Sequence, residues 1–215
     1  MPIITISRGS LSGGRALAEC LADRLGYPCV AAEIVRGAAA KLGVSMEDVQ
    51  GKFETSPGLW ARLVRDREKY VLAVRTALLE GCAEGSLVYH GLAGQFLLRD
   101  LRGVLRIRLI APLDVRLRTL TDHHRMGREA AEEFIRDVDN ERRRWVRVMY
   151  GEDVESPALY DLTVNLRTLS LDTACEVIAE AAGQPQYEIT AEARAAMEAL
   201  RVACHERLDA LTSGE

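Results

Sequence analysis

Ser7-Arg8-Gly9-Ser10-Leu11-Ser12-Gly13-Gly14-Arg15 has the residue types and spacing that hold a phosphate. Set against G-x-x-x-x-G-K-[ST], Gly9 and Gly14 fall on the two glycines, Arg15 on the lysine and Ala16 on the hydroxyl residue. A loop of this kind, opening a helix, turns backbone N–H groups and the positive end of the helix dipole toward an anion. Gly9, Ser10, Ser12, Gly13, Gly14 and Arg15 are therefore the candidate phosphate cradle. Arg15 can meet phosphate oxygens bidentately, although it is bulkier and more fixed in shape than a lysine. Ala16 has no oxygen for Mg2+, which leaves Ser10 or Ser12 as the loop's hydroxyl sources. On spacing alone, a glycine-rich turn that binds nothing is the competing reading.

Arginines are the second chemical resource. Arg125 and Arg128 stand in a polar break, and Arg142, Arg143, Arg144 and Arg147 follow along one helical stretch. Phosphoryl transfer asks for positioning and for positive charge around the transferred group, and arginines on a closing lid supply both. Composition alone favours a plainer account, a solvated helix face on which Glu129, Glu132, Glu133, Asp137, Asp139 and Glu141 nearly balance the charge. Nucleic acid is not an expected partner: the Arg142–Arg147 run is short and has no aromatic stacking platform. No metal site is expected either, because adjacent His123 and His124 point apart on a helix and lack a third ligand at zinc spacing. His90, beside Gly91 at the end of an apolar run, is either ligand-facing or a satisfied buried histidine.

The elements that must position these groups can be read from hydrophobic periodicity. Pro2 to Ile6 reads as a buried strand, and Leu17, Cys20, Leu21 and Leu25 as the apolar face of a helix that Gly26 ends. Further strands are expected over Ser86–Gly91, Val104–Ile110 and Leu159–Asn165. Helices are expected over Glu33–Leu42, from Ser45 as N-cap, over Leu59–Cys82, after Pro112, over Glu129–Met149 and over Leu171–Ala182. This alternation predicts a doubly wound parallel α/β sheet, in which ligands sit at the carboxyl ends of the strands. Beyond Gln184, the spacing of Ala193, Met197, Leu200, Cys204, Leu208 and Leu211 predicts one more helix. That helix either lies on the domain surface or pairs with a second copy as a homodimer.

A chain of 215 residues suits one cored domain, and a net charge of −4 with a pI near 5.7 gives no support to a general polyanion binder. No stretch is long and apolar enough for a membrane span, and the N-terminus lacks the features of a signal peptide. Five scattered cysteines (Cys20, Cys29, Cys82, Cys175 and Cys204) form no C-x-x-C pair, so reduced thiols in a cytoplasmic protein are expected.

Taken in order, these stretches resemble the cytidylate kinase-like family, a branch of the P-loop nucleoside monophosphate kinases, over most of residues 3–182. The likeness is carried by Ile4-Thr5-Ile6-Ser7-Arg8 with Ser12-Gly13-Gly14-Arg15, and by Gly26-x-Pro28 with Glu33-x-x-Arg36. It continues in Ile135-x-x-x-Asp139-x-x-Arg142, Tyr150-Gly151-x-Asp153 and Pro157-x-Leu159-Tyr160-Asp161-Leu162. The resemblance implies a kinase-like domain over 1–183, with a monophosphate-binding segment near 31–85, a lid near 123–145 and a C-terminal helical extension over 184–215. It also implies transfer of the ATP γ-phosphoryl group to CMP or dCMP, with Mg2+. By position, Arg15 would hold ATP phosphates, Glu33, Arg36, His90 and Gly91 would bind the acceptor, Arg125 and Arg142 would close over the transferring group, and Asp139 would orient lid arginines or the acceptor. Two departures touch acceptor recognition: Leu92 stands where the family has arginine, and Ala31 where it has an acid. With Ala16 they keep a second reading open, a nucleotide-binding protein without turnover.

Overall fold

A computed structural model describes residues 2–31, 67–83, 85–91 and 93–213, with only the backbone of His123 and His124. Strand β1 (Ile3–Arg8) lies at the centre of a five-stranded parallel sheet ordered β2-β3-β1-β4-β5. The others are β2 (Cys29–Val30), β3 (Val88–Tyr89), β4 (Val104–Ile110) and β5 (Leu162–Asn165). In register, Ile4 sits beside Val88 on one side and Leu105 on the other. Ile3, Ile4 and Ile6 are buried, as expected of a strand covered on both faces.

The sheet carries a core on each face. Ile4, Ile6, Val88, Leu105 and Ile107 meet helices α1 (Gly14–Leu25) and α6 (Leu171–Ala182) through Leu17, Leu21 and Ile178. On the opposite face, Ile3, Tyr89 and Val104 pack with α2 (Arg67–Ala83), α3 (Gly94–Leu97), α5 (Arg128–Tyr150) and α7 (Ala191–Ser213). Helices on both faces of a parallel sheet make the doubly wound architecture that the alternating pattern predicts.

Helix α5, 23 residues long, matters most for the site. Ile135, Asp139, Arg142, Val146 and Met149 recur at spacings of four and three, so they share one face. Its first half packs on α4 (Leu113–His124) through Ala131, Ile135, Leu117 and Leu120. Its second half enters the sheet core through Trp145, Val146 and Met149. Two apolar anchors thus fix the polar pair between them.

Several boundaries differ from the periodicity. The second expected strand is confined to Val88–Tyr89, and the segment before β5 holds a 3-10 turn (Pro157–Leu159) rather than strand. Helix α7 buries Ala193, Met197, Cys204 and Leu208, and three of these join Tyr70, Val74 and Leu78 of α2 in one core. The apolar stripe considered for pairing with a second copy is therefore used within the chain. One cysteine expectation is corrected: Cys20 on α1 and Cys175 on α6 form a disulfide, leaving Cys29, Cys82 and Cys204 as thiols. The partners lie 155 residues apart and meet because both helices cover the same sheet face, a pairing that sequence spacing cannot reveal. Expected helices over 33–42 and from Ser45, together with Glu33, Arg36 and Leu92, fall outside the described residues. No described helix is long and apolar enough to cross a membrane.

Candidate functional site

A cavity of about 360 Å3 opens at the carboxyl ends of β1, β3 and β4. Ser7, Arg8 and Gly9 form its floor, His90 and Gly91 one wall, and Asp139 and Arg142 of α5 the facing wall. Strand ends converge there because a parallel sheet directs every strand to the same edge.

The glycine loop joins β1 to α1. Leu11 and Gly13 take left-handed backbone conformations (φ 56° and 82°), which turn the chain into the helix. For a leucine this conformation is costly, and its side chain packs against the α4–α5 apolar cluster. Ser12 Oγ donates to the Gly9 carbonyl at 2.9 Å. Gly14 is required by a close approach, because a Cβ there would collide with the side chain of Arg8.

Ser10 ties the loop to α5. Its N–H and its hydroxyl each donate to Asp139 Oδ1 at 3.0 Å. Arg116 on α4 completes the junction, donating from Nε to the Ser10 carbonyl at 2.7 Å and from Nη2 to Ser10 Oγ and Asp139 Oδ2, each at 2.6 Å. Burial by itself would raise the Asp139 pKa, but the Ser10 N–H and the Arg116 guanidinium outweigh it and hold the carboxyl below its ordinary value. Arg142 donates from Nη1 to the Arg8 carbonyl at 2.9 Å. Burial, reinforced by the charge of Arg8, lowers its pKa to about 10.

His90 is kept neutral at pH 7 by burial and by the nearby charge of Arg8, both of which lower its pKa. Its Nδ1 is buried with no hydrogen-bond partner among the described residues. Behind the floor, the Tyr160 hydroxyl donates to the Val154 carbonyl at 2.7 Å, lies 3.1 Å from Ser7 Oγ and accepts from Gln95 Nε2 at 3.2 Å. Arg108 donates to the same Val154 carbonyl at 2.6 Å and faces Glu155 at 3.4 Å. This network straps the 151–161 segment beneath the cavity.

Of the residues singled out by sequence, Gly9, His90, Gly91, Asp139 and Arg142 come together at the cavity, and Ser10 adjoins it through Asp139. Ser12, Gly13 and Gly14 complete the loop beside it. Arg15 lies elsewhere: its side chain is 79% exposed and pairs with Glu19 at 2.8 Å. Arg125 is an exposed, left-handed C-cap of α4 (φ 52°), outside the cavity lining. Ala31, where the resemblance expects an acid, lines the cavity. Sequence reasoning gave no individual role to Arg8, Arg108, Arg116 or Tyr160, although Arg8 and Tyr160 stand in stretches it singled out. Arg8 carried a usable signal, since the last residue of a central parallel strand stands at the ligand edge. Arg116 carried none, because its partners are 106 and 23 residues away.

Ala16 has no oxygen to offer a metal, whereas Ser10 Oγ, Ser12 Oγ and the Asp139 carboxylate keep lone pairs beyond the hydrogen bonds they make. No cluster of three or more metal-ligating side chains occurs among the described residues.

A glycine loop leaving the central strand of a parallel sheet, with arginines around the cavity at its mouth, defines a P-loop phosphotransferase. The chain belongs to the cytidylate kinase-like family, whose model matches residues 3–168. It is 27% identical over 164 residues to the cytidylate kinase of Methanothermobacter thermautotrophicus, spanning 76% of this chain and 94% of that one. It is 29% identical over 167 residues to the cytidylate kinase of Pyrococcus horikoshii, spanning 76% and 79%. Among solved structures, an uncharacterized protein from Eubacterium ventriosum has the same fold, with a TM-score of 0.65 at 19% identity over 84% of this chain and 97% of that one. The tunicamycin resistance protein of Deinococcus radiodurans aligns with a TM-score of 0.50 at 18% identity, over 87% and 98%. The chain is thus a kinase-like phosphotransferase of the nucleoside monophosphate kinase superfamily.

Proposed function

We propose that the protein transfers the γ-phosphoryl group of Mg·ATP to a nucleoside monophosphate, with CMP or dCMP as the acceptor. The observation that carries this reading is the junction of α5 and loop: Ser10 and Arg116 bind Asp139, and Arg142, one turn along the same helix face, donates to the Arg8 carbonyl at the cavity. The choice of a cytidine acceptor is supported by the names of the relatives.

In this reading, an oxygen of the acceptor phosphate attacks the γ-phosphorus while the bond to the β–γ bridging oxygen breaks, and ADP leaves with the electron pair. Mg2+ bound to the triphosphate neutralises charge on the phosphate oxygens. Loop N–H groups hold the donor phosphates, and Arg142 faces the negative charge of the transferring group. Glu33 and Arg36 would grip the acceptor by their family positions, and neutral His90 with Gly91 would border it. Closure of α4 and α5 over the cavity keeps water from competing with the acceptor.

ADP release should be followed with Mg·ATP and each common nucleoside monophosphate. The expected result is turnover fastest with CMP or dCMP; rates equal to the no-enzyme control for every acceptor overturn the proposal. Ala16, with no hydroxyl to offer a metal, favours a second reading in which the protein binds nucleotide without transfer. Measurable ATP or CMP binding with no ADP release would select it.

A further inference from the structure

We infer that Arg8, rather than Arg15, supplies the guanidinium that grips the nucleotide's phosphates. The inference rests on the kinase reading above and assigns the cation at its donor site. A P-loop needs a positive side chain aimed into the anion cradle, and sequence spacing gives that place to Arg15. In the fold, Arg15 is turned to solvent on the first turn of α1, is engaged by Glu19 and lines no part of the cavity. Arg8 does the opposite. It is half-buried, it lines the cavity, and its stem lies across Gly14, the residue that opens α1. The guanidinium is therefore carried over the glycine loop from the strand side.

Charge supports the same assignment. Among the described residues Arg8 has no carboxylate partner, whereas Arg116 is neutralised by Asp139 and Arg108 faces Glu155. Arg142, at the same cavity, repels it. Burial disfavours the charged form of both. Arg8, without a carboxylate partner among the described residues, and Arg142, whose charge Asp139 offsets only in part, together give the cavity beside the positive end of α1 a net demand for anionic oxygens, which a polyphosphate meets. A planar fork reaching from the strand end can bridge two phosphate oxygens, which a solvent-facing Arg15 cannot do from its place.

The test compares Arg8→Met with Arg15→Met in the full chain, by calorimetric titration with Mg·ATP and separately with tripolyphosphate. Methionine keeps the stem over Gly14 and removes the cation. Arg8→Lys, which keeps the charge and loses the fork, serves as a second variant, and thermal melts verify that each is folded. Expected is a loss of about 10- to 100-fold in affinity for both probes in Arg8→Met, a smaller loss in Arg8→Lys, and less than about threefold in Arg15→Met. A larger loss in Arg15→Met than in Arg8→Met overturns the assignment, and wild-type turnover would then leave the kinase reading standing. Absence of turnover in the wild type counts against the kinase reading alone, since tripolyphosphate still judges Arg8. No tripolyphosphate binding by the wild type overturns the assignment itself.

Discussion

The Asp139 carboxylate and the Ser10 N–H and hydroxyl, 129 residues apart in sequence, are joined by two hydrogen bonds of 3.0 Å. This junction makes the glycine loop and α5 one mechanical unit. Asp139 is also the carboxylate that pairs with Arg116 across the loop, so the loop's shape depends on a charge carried by α5.

Asp139→Asn keeps the shape of the side chain and removes the charge that Arg116 pairs with. Loss of charge-assisted hydrogen bonds in a half-buried setting should cost about 1.5–3 kcal/mol of stability, and turnover should fall as the loop loosens. Denaturant unfolding of both proteins checks the first expectation. An equal midpoint would mean that the junction is incidental.

The same pair gives a pH dependence. Asp139 has a folded pKa below its ordinary 3.8, so the unfolded chain binds the proton more readily. Its stabilisation is complete above that ordinary value and is lost as pH falls through the lower, folded one. The stability difference between wild type and Asp139→Asn should be flat from pH 5 to 7 (order-of-magnitude bounds, roughly one unit clear of the ordinary value) and shrink below about pH 4. A difference that grows on acidification contradicts the geometry.

Arg142 works in the opposite sense. With a pKa near 10 against an ordinary 12.5, its buried charge opposes folding at neutral pH. Arg142→Met should therefore stabilise the ligand-free protein by about 1–2 kcal/mol after losing the bond to the Arg8 carbonyl, and raise its melting temperature. It should also weaken Mg·ATP binding, a trade of stability for function common at charged sites. Differential scanning calorimetry with and without Mg·ATP reads both effects.

Much of this was legible from sequence because it is local. The glycine loop, the β1 and β4 strands and the helix cap at Gly26 are fixed by residues a few positions apart, and the structure keeps them. The pairing of Asp139 with the loop was half legible: the i, i+3 spacing to Arg142 put both on one face, but what that face meets is a matter of topology. Arg116, Tyr160 and the Cys20–Cys175 bond were not legible, since each depends on elements brought together from distant parts of the chain. Arg15 is the converse case. Its motif position is right, yet a helix residue beside a glutamate at i+4 has a local partner in solvent.

Tyr160→Phe removes one hydroxyl that bridges Val154 and Ser7 and accepts from Gln95. The ring still fits, so the fold should survive with a loss of about 1–2 kcal/mol. Gln95 is buried and would be left without this acceptor, which places the effect toward the upper end. Double-mutant cycles with Gln95→Leu should show coupling, because both act on the same hydroxyl. Additive effects would mean that the strap is not a unit.

The C-terminal helix offers the largest expected effect. Ile189, Ala193, Met197 and Leu208 share one buried cluster with Tyr70, Val74 and Leu78 of α2 and with Trp145 of α5. Met197→Ala should cost about 2–5 kcal/mol, because a buried side chain of that size leaves a cavity. Ending the chain at Gly183 should do more, exposing a whole face of α2 and loosening the core end of α5, so that its polar pair loses one of its two anchors. Turnover should then fall together with stability, although no residue beyond Gly183 lines the cavity. Circular dichroism melts alongside ADP release would check this. A truncated chain with an unchanged melting temperature would mean that α7 is an appendage and that α2 and α5 hold the site by themselves.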